Sequence, residues 1–136
     1  MKSLLRQMIF HVLLPLIFGI VIYFLFRKDT WFHQYFFSVQ MKFPLIEPQN
    51  TAGKIMAFNL PDFCWSYSFA SALFLWKRWM GSKWVVFPVL VLSLLLVAEF
   101  IQLYFSHWFT FDWADIFAAL LAYVLSYKAN DRYESN

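Results

Sequence analysis

Five polar side chains could do chemistry in this chain: Asp62, Glu99, Gln102, Asp112 and Asp115. Glu99 and Gln102 are three residues apart, as are Asp112 and Asp115, a spacing that puts each pair on one face of a helix. Carboxylates gathered in one place repel one another. With no Lys or Arg nearby in sequence, their counter-charge would be a shared proton, a bound cation, a divalent one included, or a cationic ligand. Glu99 is the candidate catalytic residue, as a general acid or base, with the aspartates holding a substrate or a divalent ion. A quieter role competes for the aspartates. Asp112 and Asp115 match a helix N-cap followed by an acid in the first turn, and Asn59 and Asp62 repeat the spacing. Glu99 does not fit that role. It sits inside an apolar run, where an acidic side chain costs on the order of 2–3 kcal/mol even by insertion measurements.

Other reactive residue types carry less. Cys64 is the single cysteine, so no internal disulfide can form, nothing is spaced like a metal–thiolate site or redox pair, and it reads as a small apolar packing residue. Ser66, Ser68 and Ser71 read as small residues that let helices approach closely. His107 falls at the rim of the acidic group, and His11 and His33 carry weaker signals.

The elements that must position these residues follow from composition. Of 136 residues, 62% are hydrophobic and 14% charged, whereas soluble domains carry about a quarter charged residues. Too few polar side chains exist to cover a water-facing surface. Four apolar runs predict an all-α polytopic membrane protein, a four-transmembrane-helix bundle forming a single domain over residues 1–136. Its spans are expected at about 8–26, 61–76, 84–105 and 112–127. The second and fourth are a few residues short of an ideal crossing, and Pro61 fits the first turn of the second helix.

Flanking charges set the expected orientation. With the N-terminus in the cytoplasm, Lys2, Arg6, Lys77, Arg78, Lys83, Lys128 and Arg132 lie inside, and Arg27, Lys28, Lys42 and Lys54 outside. Both termini are then cytoplasmic. The first run is too long for a signal peptide and lacks a small-residue cleavage site, so it is expected to stay as an anchor. In the first external connection, Trp31, Phe32, Tyr35, Phe36, Val39 and Phe43 suggest an interfacial helix. The turn from Ser106 to Phe111 is short enough to force the last two helices into an antiparallel hairpin. Glu99 then lies roughly 10 Å below the external end of its helix, with Asp115 about one turn below the start of the next. In this topology Asp62 joins the same layer. Basic residues are scattered, which gives no nucleic-acid footprint.

Glu99-x-x-Gln102 followed by Thr110, Asp112 and Asp115 resembles the VanZ-like family of small bacterial membrane proteins. That family shows E-x-x-Q on one helix and D-x-x-D at the start of the next. The stretch LPDFCWSYSFASAL from Leu60 is similar to the family's preceding helix, with Asp62 as the matching acid. Phe63 and Trp65 depart from the Lys and His common there, and Ala118, Ala119 and Ala122 occupy the region where Asn and Gly often follow. The resemblance implies a multi-pass protein of the bacterial inner (cytoplasmic) membrane, part of the cell envelope, with an acidic site on the extracytoplasmic side.

Four functions remain open at this stage. The acidic cluster could bind a cation or a polar envelope or lipid group, or an enzyme could act on a lipid-linked or cell-wall substrate. A proton- or ion-coupled transporter would use Glu99 as carrier, with an oligomer completing its path. A scaffold would use its acids only to cap and join helices.

Overall fold

The computed structural model describes residues 2–26, 46–80, 86–104 and 113–132, and among them there are helices and no strands. Helix α1 (Lys2–Met8) runs through a π turn (Ile9–Leu13) into α2 (Leu14–Phe26). Then follow α3 (Thr51–Met80), α4 (Phe87–Tyr104) and α5 (Trp113–Arg132). The interfacial helix expected over 31–43 lies outside the described residues, as do His33, His107, Thr110 and Asp112.

The second element differs most from expectation. α3 is 30 residues long and starts at Thr51, which puts Pro61 in its interior. Two local features explain the early start. Asn50 acts as N-cap: its Oδ1 accepts from the Gly53 amide at 2.7 Å, and its carbonyl accepts from the Lys54 amide at 3.0 Å. Pro48 lies just before that cap, where it cannot extend the helix backward. Pro61 removes one i→i−4 donor, but Ala57 and Pro61 are fully buried against neighbouring elements, and packing keeps the helix running through. The capping role expected for Asn59 and Asp62 is therefore wrong, since both lie well inside α3.

The central element is α3. Ala57, Pro61, Cys64, Ser68, Ser71 and Leu75 form a buried stripe along it at alternating spacings of three and four. One flank receives the π turn and α2, antiparallel: His11 and Val12 of the turn meet Tyr67 and Ser68, while Gly19 and Tyr23 of α2 meet Cys64 and Trp65. The other flank receives α5, the most extensive helix pairing among the described residues. At the far end, Phe87, Val91 and Leu95 of α4 pack with Ala70 and Phe74, bordered by Leu73, Tyr123 and Tyr127. The start of α4 thus meets the second halves of α3 and α5, and α4 runs back toward their first halves.

Between α3 and α5 the buried residues are small and partly polar, whereas the outside is large and apolar. Ser71, Ser126, Ala119 and Ala122 are buried, whereas Ile17, Phe69, Trp76, Val89, Phe100, Phe117 and Leu121 are exposed. Helices that associate in lipid have this pattern, because close backbone approach substitutes for a hydrophobic drive. One continuous helix, Leu4–Phe26, is long and apolar enough to cross a membrane, with mean hydropathy 2.6.

Candidate functional site

Helices α3 and α5 run side by side in the same direction. Asn59 Nδ2 donates to Asp115 Oδ1 at 3.3 Å near their beginnings. The hydroxyls of Ser71 and Ser126, both fully buried, lie 3.0 Å apart further along. Between these two points α5 presents Ala118, Ala119 and Ala122, all buried. Asn130 Nδ2 extends the polar contact by donating to the Ser126 carbonyl at 2.8 Å. Because two hydrogen-bonded pairs fix the register, the first thirds of α3 and α5 occupy one layer. Asp115 lies in the first turn of α5, where a carboxylate also suits the positive helix end.

The predicted site residues fall into this frame unevenly. Asp115 meets α3, but through Asn59. Asp62 lies three residues beyond Asn59, on the same side of α3 and within a turn of the Asp115 level, and is half-buried. Glu99 and Gln102 belong to the last turns of α4, with side chains outside the described residues. Their backbone level can be read from the aromatic cluster at the other end, which holds Phe87 and Tyr127 around Phe74. The same number of residues separates Phe87 from Glu99 as separates Tyr127 from Asp115, about 18 Å of helix in each case. An α4 held antiparallel to α5 over this length would bring the Glu99 backbone to the Asp115 level; the packing cluster itself follows α4 as far as Leu95. Among the described residues no three His, Cys, Asp or Glu side chains gather in a way that would hold a metal ion.

Ser68 and Ser71 act in helix packing, as their type and spacing suggested: Ser68 Oγ donates to the Val12 carbonyl at 2.9 Å, and Ser71 bonds Ser126. His11 does more than its weak signal in the sequence suggests. Its Nδ1 and the Tyr67 hydroxyl are 2.7 Å apart, and the ring of Phe63 stacks on Tyr67. His11 lies in the π turn, whose wider ring, closed by the Leu14 amide on the Ile9 carbonyl, shifts the register of the helix by one residue. A signal for it did exist, since an ionisable residue inside an apolar span is a site candidate by default. A double-mutant cycle of His11→Phe and Tyr67→Phe should give a coupling of about 0.6 kcal/mol, the usual size for an interhelical hydrogen bond in a membrane. Additive effects in that cycle would mean that the pair does not hold α3 to the π turn.

What the described residues define is an all-helical protein with one clear membrane-crossing candidate and a polar seam between two parallel helices. No family model matches the chain, and no curated protein or solved structure matches it.

Proposed function

We propose that the chain is a VanZ-like protein that crosses a bacterial cytoplasmic membrane four times. In this reading Asp62, Glu99, Gln102, Asp112 and Asp115 line an extracytoplasmic acidic pocket that binds a cation or the polar group of an envelope lipid. The observation that carries the reading is the Asn59–Asp115 hydrogen bond, because it draws the acid-bearing ends of two separate helices into one layer. The alternation of helix directions supports four crossings: α2 is antiparallel to α3, α3 is parallel to α5, and α4 runs back between them. The exposed apolar side chains on α2, α3, α4 and α5 support a lipid surround. A bound cation or a cationic headgroup would add favourable charge beside acids held in such surroundings.

The test is thermal denaturation of the purified protein during titration with Mg2+ or Ca2+. At a hundredfold excess over Kd, a bound ion should stabilise the protein by about 2.7 kcal/mol, seen as a raised midpoint. Glu99→Gln and Asp115→Asn should each remove the rise while leaving the ion-free midpoint near its original value. A midpoint indifferent to both ions and to lipid extracted from bacterial envelopes would sink the proposal.

A further inference from the structure

Antiparallel packing of α1 and the π turn against the second half of α3 leaves a groove of about 260 Å3. Leu4, Met8 and Val12 form one wall, and Ala72, Leu73, Leu75 and Trp76 the other. All seven are apolar. The first three recur every fourth residue and so line one side of their helix. Met8, Ala72 and Trp76 at the rim are exposed, so the groove opens sideways out of the helix bundle. It exists because Ala72 contributes only a methyl group where its neighbours in the wall are large.

The two groove walls themselves carry charge of one sign, although the parallel register of α5 brings the backbone of Asp131 to the same end of the bundle. Residues 1–28 and 63–98 contain no Asp or Glu. Arg6 lies in sequence between the groove residues Leu4 and Met8, and Lys77 directly follows Trp76. Their long side chains can reach outward to a headgroup while their stems lie along apolar surface. From Leu4 to Val12 the wall extends about 12 Å, close to the roughly 15 Å of hydrocarbon in one leaflet. Trp76 sits at the cationic end, the level at which tryptophan settles in a membrane interface.

We infer that this groove holds an acyl chain of an anionic phospholipid, with the lipid phosphate at the level of Arg6 and Lys77. The inference rests on the membrane reading above and is separate from the acidic pocket, which lies toward the opposite end of α3. Anionic lipids are attracted to basic residues beside membrane helices, whereas a zwitterionic lipid with the same tails offers the groove apolar contact alone.

Native mass spectrometry of the full chain in detergent tests this, with dioleoyl phosphatidylglycerol and dioleoyl phosphatidylcholine supplied at equal concentration. The expected result is a monomer keeping one phosphatidylglycerol at activation energies that strip phosphatidylcholine. Ala72→Phe, which fills the groove, should lose that adduct, and Arg6→Gln should lower its retention. Unchanged shielding of Cys64 from maleimide checks that Ala72→Phe still packs, and Met8→Trp fills the groove from the other wall if it does not. Equal retention of both lipids, retention that survives groove filling, or a dimer without lipid overturns the inference. Release of the protein from membranes by alkaline carbonate would overturn the membrane reading itself, a failure distinguishable from loss of lipid selectivity.

Discussion

Gly19→Leu should open the contact between α2 and α3 and expose Cys64 to maleimide. At Gly19 the two helices are so close that an added β-carbon would lie 2.9 Å from Cys64 Cβ and 2.9 Å from Trp65 Cδ1. The Trp65 ring is partly exposed and can swing, but Cys64 Cβ is fixed to the α3 backbone, so the helices themselves must separate. Gly19 lies inside α2, so the reason for a glycine there is lateral room. Overpacking of this kind costs about 1–3 kcal/mol. If labelling proceeds through local opening, that cost corresponds to a rate increase of roughly 5- to 150-fold. Cys64 is a clean reporter because it is the single cysteine in the sequence and only 4% exposed. Gly19→Ala should move the rate in the same direction by less. An unchanged rate in Gly19→Leu would mean that α2 does not cover Cys64.

Much of this architecture was readable in the residues, and the exceptions have definite causes. The third and fourth apolar runs, expected at 84–105 and 112–127, correspond to α4 at Phe87–Tyr104 and α5 at Trp113–Arg132, because long apolar stretches specify helices strongly. α3 begins at Thr51, ten residues before the start its hydropathy indicates. Lys54 and Asn59 dilute the hydropathy of its first third, and Pro61 imitates a helix beginning. A local rule about proline then gave way to the Asn50 cap and to burial of Pro61 among other helices, neither of which a hydropathy pattern records.

The candidate site was less legible than the helices that carry it. A short connection and a fixed rise per residue lead the sequence to expect Glu99 and Asp115 at one height, and the described contacts reach Asp115 alone of the two. Asn59, which donates to Asp115, has a spacing that in sequence matches a cap equally well, because the same side chains that cap helices also join them. His11 and Tyr67 are 56 residues apart in sequence, as are Val12 and Ser68, and no periodicity links positions on different helices.

The parallel pairing of α3 and α5 decides whether an acidic layer can exist, and it makes an all-or-none prediction. In a Cys64→Ala background, Ser71→Cys with Ser126→Cys should form a disulfide under mild oxidation. Their hydroxyls are 3.0 Å apart, which brings the β-carbons close to the roughly 3.5–4.5 Å a disulfide needs. Asn59→Cys with Asp115→Cys, whose longer native side chains meet at 3.3 Å, should be joined by a short bifunctional thiosulfonate. One linked pair alone fits either direction of α5. Both together require the parallel direction, because an antiparallel α5 touching at Ser71 and Ser126 would carry Asp115 away from Asn59. Ser71→Cys with Asp115→Cys should stay unlinked, since Asp115 lies about 16 Å of helix from Ser126. Two neighbouring helices with the same direction need a return segment between them. α4, 18 residues and about 27 Å long, is near the roughly 30 Å of a hydrocarbon core. In the reading proposed above, that return carries Glu99 toward the end where Asp62 and Asp115 lie. A link at Ser71 and Ser126 without one at Asn59 and Asp115 would separate those acids, leaving the seam as helix packing and the pocket without a place to form.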